Sequence, residues 1–176
     1  MKPIRAGDDG GIVNQKGFRR HHQQGIYRQF RRELLQYLQL CKNHYRANQF
    51  IFPMETVYGF EQTDQGLALV TEKIIAPSGK SMTLDEICNE RNFDHKHGIA
   101  LQQFFNDCCS LHLVFGEVNK AGIMYTEQRN DRPEFVLVDG IGEKLFIPFR
   151  AMSRRINANY VRKVENKIKT QLNIEY

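Results

Sequence analysis

An apolar repeat of helical period runs from residue 26 to residue 47. At about 100° per residue, its apolar side chains fall within about a third of a turn. They are Ile26, Phe30, Leu34, Tyr37, Leu38 and Cys41. The pattern predicts an amphipathic helix that packs its apolar stripe on another element. The side chains expected to face mostly away from that element are Arg28, Arg31, Arg32 and Gln36.

Glu33 departs from the polar face of this helix. On the helical wheel it lies at the edge of the apolar stripe, beside Ile26. Two interpretations stay open for a carboxylate at that place. It is either a flanking group that reaches back to water or an inward acid held by a cation from a neighbouring element.

Strand patterns follow the helix. Residues 56 to 63 and 67 to 75 are rich in β-branched and aromatic side chains, and only Asp64-Gln65-Gly66 separates them. A three-residue link of this kind predicts an antiparallel hairpin. The segment APSGKS, 76 to 81, then predicts a hinge loop.

The rest of the chain predicts a mostly helical half with a second small hairpin. A helix capped by Thr83 is expected to end at about Arg91. The further predicted elements are a helix over 98 to 113, strands over 122 to 125 and 134 to 138, and a basic helix over 151 to 172. The order predicts an α+β fold, in which a small antiparallel sheet and a helix are joined by the hinge to a mostly helical half.

Length and composition favour a single domain, because 176 residues with 41% apolar content make one core of ordinary size. The four cysteines show no CxxC spacing and are expected to be reduced packing residues. They are Cys41, Cys88, Cys108 and Cys109. No apolar stretch approaches the ~20 residues that span a bilayer, and residues 1 to 25 lack the apolar core of a signal peptide, so a cytoplasmic protein without a membrane partner is expected.

The charge is uneven along the chain. The net charge is +6 for residues 1 to 32, −6 for 33 to 149 and +5 for 150 to 176. Basic ends attract nucleic acid, anionic lipid or nucleotide phosphates, although solvated helix faces explain them equally well. Nucleic-acid binding is the weakest of these hypotheses, since Phe149 and Tyr160 are the only aromatic residues among the basic residues from 149 to 172.

Asp139 directly follows the apolar strand pattern and precedes Gly140. A strand-ending acid followed by glycine is where a phosphotransferase can hold Mg²⁺ against nucleotide phosphates. An Asp-Gly pair after a strand also forms ordinary turns. Both interpretations stay open from the tripeptide alone.

Four segments together resemble the PhoP regulatory network protein YrbL family, whose fold looks like that of protein kinases. They are RREL with the spaced apolar residues after it (31 to 40), YGFEQTDQGLALVTEKI with SGKSMTL (58 to 84), VFGEVNKAGIMY (114 to 125) and VDGIGEKLFIPF (138 to 149). The resemblance implies a reduced protein-kinase-like fold over 1 to 176. In it, a flexible segment (1 to 25) precedes a reduced N-lobe (26 to 75) and a reduced C-lobe (82 to 176).

The resemblance also implies site residues and cofactors. Glu117 is placed at the catalytic acid, Asp139 at the principal Mg²⁺ ligand and Gly122 at the metal-binding amide. ATP and Mg²⁺ are the implied cofactors. The residues implied to bind the nucleotide are Lys2, which would pair with Glu33, then Glu72 at the end of the strand Val70-Thr71-Glu72, and Asn119.

The departures from the kinase pattern predict weak or absent phosphoryl transfer. Glutamate at 117 adds a methylene where a kinase has aspartate, and a displacement of about 1 Å can cost ~100-fold in rate. Glycine at 122 offers no side chain to a second metal ion. The Gly-rich loop expected before the lysine strand is not found, because the cluster Gly7, Gly10 and Gly11 has no strand pattern before it. Lys16, in the loop, is a weaker candidate than Lys2.

Two functions follow as hypotheses. The first is a kinase-like protein that binds ATP and Mg²⁺ weakly, and the second is a non-catalytic interaction module with a protein partner in a bacterial regulatory circuit. Two histidine patterns support neither of them. His112 shares a face with Leu101 and Phe104 and is expected to be a satisfied core residue, and His95-Lys96-His97 has strand-like spacing but no evident metal-binding partner.

Overall fold

The computed structural model describes residues 27–64, 66–143 and 147–172. The chain alternates helices with two hairpins. In order, the elements are α1 (Arg28–His44), a 3₁₀ turn (Tyr45–Ala47), β1 (Val57–Thr63), β2 (Gly66–Thr71), α2 (Leu84–Asn89), α3 (His95–Leu111), a 3₁₀ turn (Lys120–Gly122), β3 (Ile123–Thr126), β4 (Glu134–Leu137), α4 (Phe149–Met152) and α5 (Arg154–Leu172). The α+β fold predicted from the sequence is confirmed, with two antiparallel two-stranded sheets, β1-β2 and β3-β4.

The predicted first helix is confirmed, but its buried face is rotated. Phe30 and Leu40 are buried, whereas Leu38, predicted to lie in the apolar stripe, is 51% exposed. Gln36, predicted to face away, is buried and its Oε1 accepts a hydrogen bond from the Val114 amide at 3.2 Å. The apolar pattern therefore located the helix but not its buried face, which includes Gln36.

Both predicted hairpins form. In the first, Phe60 pairs with Leu69 and Thr63 with Gly66, with a bulge between Val57 and Gly59. β2 ends at Thr71, four residues before the predicted end at 75. In the second hairpin, Ile123 pairs with Leu137, and both side chains are fully buried.

Side-chain caps begin the two central helices. Thr83 forms a capping box with Glu86 at the start of α2, as its position predicts. Asp94 does the same for α3 by accepting a hydrogen bond from the His97 amide at 2.9 Å. The strand-like interpretation of 95 to 97 is therefore wrong, because these residues form the first helical turn. The missed cap also explains why α3 starts three residues before the predicted position.

His112 ends α3 in a left-handed conformation, with φ of 61°. One ring nitrogen lies 2.8 Å from the Arg150 carbonyl oxygen. The histidine is satisfied, as predicted, although it terminates the helix instead of lying on its apolar face.

One hydrophobic core joins α3, α5 and the second hairpin. Its fully buried side chains include Leu101, Phe105, Phe115 and Phe135. A second, smaller cluster of Phe30, Val57 and Leu69 holds α1 against the first hairpin. Two packing groups therefore meet along α1, whose Leu40 belongs to the larger core.

A buried ion pair joins Glu143 to Arg150 of α4. The Arg150 Nε donates to Glu143 Oε1 at 3.1 Å, and its guanidinium lies 4.4 Å from the Tyr160 ring centroid. Burial opposes the charge of Arg150, but hydrogen bonding to Glu143 and the negative charge of Glu143 outweigh it and raise the Arg150 pKa. Glu143 is thereby tied to α4, and Arg150 of α4 is held against Tyr160 of α5.

All four cysteines are free thiols, as predicted, and Cys108 is fully buried. Burial raises the pKa of the Cys108 thiol, which keeps it protonated and unreactive. Within the described ranges, no helix is long and apolar enough to cross a membrane.

Candidate functional site

The acidic side chain of α1 and the acid after β4 meet through one amide. Gln29 lies one turn before Glu33, and its Nε2 donates to Glu33 Oε1 at 3.1 Å. The same Nε2 lies 3.3 Å from Asp139 Oδ1. Glu33 is 1% exposed, so it faces inward, while the cation of that interpretation stays a prediction. Gln29 therefore joins two residues predicted for the site that are 106 positions apart in sequence.

The segment around Glu117 packs directly on the segment after Asp139. The Gly116 amide donates to the Gly140 carbonyl at 2.6 Å, and the Gly142 amide donates to Val114 at 2.8 Å. Gly140 has φ of +78°, and a Cβ there would clash with the Glu117 carbonyl oxygen. Glycine is required at 140 both for this backbone conformation and for the close approach of the two segments.

Arg32 closes the cluster from the helix side. A Cβ on Gly142 would lie 3.0 Å from the Arg32 Cβ, so the loop passes directly against the helix. The Arg32 Nε is buried and has no hydrogen-bond partner among the described residues. Burial lowers the pKa of Arg32 and Arg28 adds to this effect, whereas Glu33, Glu117 and Asp139 act in the opposite direction. Three carboxylates thus lie within electrostatic reach of one guanidinium.

We call Gln29, Arg32, Glu33, Glu117 and Asp139 the Asp139 corner. Its two loop acids, Glu117 and Asp139, are exposed, whereas Glu33 is buried. Two carboxylates of the corner therefore face solvent, and backbone hydrogen bonds join the two segments that carry them.

Gly122 and Asn119 flank the corner. A Cβ on Gly122 would lie 3.2 Å from the Asp139 carbonyl oxygen and 3.4 Å from its Cβ. Asn119 caps the 3₁₀ turn before it, with Oδ1 accepting from the Gly122 amide at 3.0 Å. The structure thus places Gly122 against Asp139, while the Asn119 oxygen is engaged in capping the Gly122 amide.

Glu72 belongs to a different network. Its Oε1 accepts from Arg129 Nε at 2.8 Å, and its Oε2 accepts from the Thr56 amide at 3.2 Å. Arg129 also donates to the Phe52 carbonyl at 3.0 Å. We call Arg129 with Glu72, Thr56 and the carbonyls that it binds the Arg129 junction. A cavity of about 450 Å³ beside it is lined by Glu72 and Tyr58, among others.

Lys2, the predicted phosphate-binding lysine, and its weaker alternative Lys16 lie outside the described residues. The Lys2–Glu33 pair therefore stays a prediction.

The donor set at Asp139 fits a resident Mg²⁺ poorly. Mg²⁺ prefers near-octahedral oxygen ligands, but Asp139 Oδ1 already accepts from the Gly140 amide at 2.7 Å and faces Gln29. Gly122 supplies no side-chain ligand. In the ranges that the structure describes, no group of three or more His, Cys, Asp or Glu side chains is placed to hold a metal ion. His95 and His97 are among the residues covered by this finding. The His97 Nδ1 lies 2.6 Å from Asp94 Oδ1.

Sequence reasoning missed Gln29 and Arg32. Both lie on a polar stretch of α1 that periodicity assigns to solvent. The spacing of Gln29 and Glu33 at i and i+4 was the one available indication of their hydrogen bond. Nothing in the sequence indicated that Arg32 would face the loop after Asp139.

The family model described as PhoP regulatory network protein YrbL matches residues 12–173. The chain belongs to this family. The match spans both packing groups and every predicted site residue except Lys2. Among curated proteins, no match to this YrbL-family chain was found. The description of the YrbL family supports a role in a regulatory network.

Proposed function

We propose that this YrbL-family chain is a regulatory protein that binds ATP weakly at the Asp139 corner and transfers phosphate slowly or not at all. The observation that carries the proposal is the Gln29 amide, which brings Glu33 and Asp139 together. The resemblance implies that Glu33, the helix acid, and Asp139, the metal ligand, belong to the binding site of one nucleotide. The kinase-like fold and the cytoplasmic location expected from the sequence belong to the same proposal.

The surroundings of Asp139 support binding of a phosphate group. Glycines at 116, 140 and 142 bring backbone close to the corner, and Arg32 adds a guanidinium with a buried, unpaired Nε. Phosphate is bound well by arginine donors, whereas the amides of Gly116, Gly140 and Gly142 already donate within the protein. The exposure of Glu117 and Asp139 leaves the corner open to solvent.

The Asp139 corner is less well suited to efficient phosphoryl transfer than to nucleotide binding. Glu117 replaces the shorter aspartate of the kinase pattern, and Gly122 is packed against Asp139, where a larger side chain would press on the Asp139 carbonyl. Transfer depends almost entirely on positioning and charge stabilisation. The expected rate is therefore low even with ATP bound.

A thermal-shift titration tests nucleotide binding. Binding to the native state alone raises its stability by RT ln(1+[L]/Kd), so ATP with MgCl₂ in the millimolar range is expected to raise the melting temperature. Asp139→Ala is expected to weaken or abolish the rise, and Asp64→Ala, an exposed aspartate in the β1–β2 turn, is the matched control. No rise in the wild type contradicts the nucleotide proposal.

Transfer is tested separately with radiolabelled ATP. Little or no autophosphorylation is expected. Fast labelling that Glu117→Gln abolishes would show that the corner is a working phosphotransferase site.

A second candidate function is a non-catalytic interaction module, and an exposed apolar group favours it. Ile147, Phe149, Met152 and Ile156 are between 47% and 74% exposed around α4 and the start of α5. They adjoin Arg154 and Arg155, in the C-terminal region of net charge +5. Exposed apolar side chains among basic ones suit a protein partner with an acidic rim.

Co-purification distinguishes this candidate. The module predicts a stoichiometric protein partner that is lost in a Phe149→Ser, Met152→Ser double variant and kept in Tyr45→Ser, since Tyr45 is equally exposed at 74%. A partner that both variants retain would place its binding surface elsewhere.

A further inference from the structure

A cavity of about 610 Å³ lies between α3, the segment before β1 and the turn between β3 and β4. It is separate from the Asp139 corner, since no residue of the corner lines it. Small-molecule sites in proteins have volumes of ~300–1,000 Å³. The cavity therefore has the size of a site for an organic ligand.

The floor of the cavity is aromatic. Three phenyl rings line it, those of Phe52, Phe104 and Phe135, and each is at most 3% exposed because it belongs to the hydrophobic core. Two isoleucines at the edge of the cavity are far more exposed, Ile51 at 45% and Ile99 at 56%. Covering such apolar surface is favourable, and aromatic rings add specific ring–ring contacts. The lining therefore favours an apolar ligand that carries rings.

The carboxylates that line the cavity already accept hydrogen bonds. Gln103 Nε2 donates to Asp107 Oδ1 at 2.7 Å, and Asn130 Nδ2 donates to Glu134 Oε2 at 2.9 Å. Neither acid therefore needs a cationic ligand.

The cations of the lining are matched in the same way. Lys96 Nζ lies 2.5 Å from Glu127 Oε1, and Arg132 Nη2 lies 4.0 Å from Asp107 Oδ2. With His95 neutral, the described lining residues carry two positive and two negative charges. Moving an ionised ligand out of water needs a compensating opposite charge, and a balanced lining offers none. The ligand is therefore expected to be neutral.

We propose that the cavity beside α3 is a binding site for a neutral small molecule with aromatic rings. The rings lie on the three phenyl groups of the floor and cover Ile51 and Ile99, which removes the exposed isoleucine surface from water. The exposed amides of Gln103 and Asn130 line the same cavity and suit a hydroxyl or amide group on the ligand. This site depends neither on nucleotide binding nor on the interaction module.

The first arm of the test measures the fluorescence of two probes that share one ring system. N-phenyl-1-naphthylamine is neutral, and 8-anilinonaphthalene-1-sulfonate is the same molecule with a sulfonate group. The full chain is expected to bind the neutral probe saturably. Absence of saturable binding of the neutral probe overturns the inference.

The second arm locates this binding with two double variants. Ile51→Gln with Ile99→Gln removes the apolar edge of the cavity and is expected to weaken binding of the neutral probe roughly tenfold or more. Leu35→Gln with Leu38→Gln changes two leucines of α1 that are 50% and 51% exposed, and this matched control is expected to keep wild-type affinity. Equal affinities of the two double variants overturn the inference. If the first variant fails to fold by circular dichroism, Ile99→Gln replaces it, with Leu38→Gln as its control.

The same proteins test the charge of the ligand and the alternative occupant of the cavity. The binding that is lost in the Ile51→Gln, Ile99→Gln variant is expected to be roughly tenfold weaker or more for the sulfonate probe, because the sulfonate is desolvated without a partner. Equal affinity of this binding for both probes overturns the neutral class of ligand. A second copy of the chain is the alternative occupant, and a dimer in sedimentation velocity that this double variant dissociates also overturns the inference.

Discussion

Arg129 and Arg32 both bring a guanidinium group to a junction between elements, but they differ in how their donors are used. Arg129 is 6% exposed, and its nitrogens reach the Glu72 carboxylate at 2.8 Å and the Phe52 and Met54 carbonyls at 3.0 and 3.2 Å. Arg32 is less buried, yet its Nε has no partner among the described residues. A paired guanidinium ties elements together, whereas the unpaired Arg32 Nε is a donor that an added acceptor would satisfy.

The same difference separates the two networks as wholes. The Arg129 junction holds the first hairpin to the segment before β1 and to the β3–β4 turn, and Glu134 lies within 3.8 Å of the same arginine. The Asp139 corner leaves Glu117 and Asp139 exposed over a tightly packed backbone. We infer that the junction contributes mainly to stability and the corner mainly to binding.

The largest effect is expected from Arg129→Met. The substitution leaves Glu72 and two carbonyls without their buried donor, and breaking a buried pair on one side costs about 3 kcal/mol or more. Denaturant unfolding measures the loss. Arg132→Met, a 56% exposed arginine at 4.0 Å from Asp107, is the control and should change stability by less than about 0.5 kcal/mol. A loss below about 1 kcal/mol for Arg129→Met would show that the junction is not the stabilising region.

Gly140→Ala should be next in size. Gly140 and Gly79 share φ of +78°, but a Cβ at Gly79 meets no atom within 4 Å, whereas one at Gly140 clashes with Glu117. Both substitutions carry the cost of the left-handed backbone, so Gly79→Ala isolates that cost. Overpacking should make Gly140→Ala less stable by a further 1–3 kcal/mol, roughly. Equal losses in thermal unfolding would mean that the two segments of the corner are not tightly packed.

Arg32→Met should destabilise less than Arg129→Met, by about 1 kcal/mol. Its unpaired Nε contributes no hydrogen bond, and the acids at 117 and 139 are exposed and can be solvated. The measurement is denaturant unfolding of Arg32→Met without ligand, at the same pH as for Arg129→Met. A loss of unfolding free energy equal to that of Arg129→Met would assign Arg32 a structural role. The Arg129 junction and the Asp139 corner would then not differ in this respect.

The smallest effect is expected from Glu165→Gln, and it depends on pH. Burial raises the pKa of Glu165, but Lys169 and Arg162 outweigh it and the net pKa is lowered. The charged form therefore adds stability above its unfolded pKa of about 4.3, and this stability is lost as pH falls through the lower folded pKa. Glu165→Gln should lower the free energy of unfolding by less than about 1 kcal/mol at pH 7, and this free energy should then fall less steeply as the pH is lowered. The same pH dependence in the variant and the wild type would show that Glu165 is not held by these cations.

Most elements of the fold follow from local sequence. The apolar period of α1, the Thr83 cap and the alternation in the two hairpins each act within a few residues, so the sequence predicts them directly. The errors arise where tertiary contacts decide. Gln36 is buried where its Oε1 accepts from the Val114 amide, and Asp94 caps the helical turn over residues 95 to 97.

The candidate site is predictable in part. Asp139 and Glu117 can be found from strand ends and from the resemblance, and Glu33 from its odd place on the wheel. Gln29 and Arg32 cannot, because their roles depend on which loop packs against α1 after folding. Glu72 was predicted for the nucleotide, but its side chain is engaged by Arg129, 57 positions later.

Nucleotide binding at the Asp139 corner can be followed residue by residue in a ¹⁵N NMR titration of the full chain with ATP. Glycine amides report on the corner, because Gly122, Gly140 and Gly142 surround it while Gly79 lies in the loop before α2. We expect saturable shifts at Gly140 and Gly142, smaller shifts at Gly122 and none at Gly79. Absence of shifts at the corner at millimolar ATP, or saturable shifts confined to other parts of the chain, would contradict this expectation.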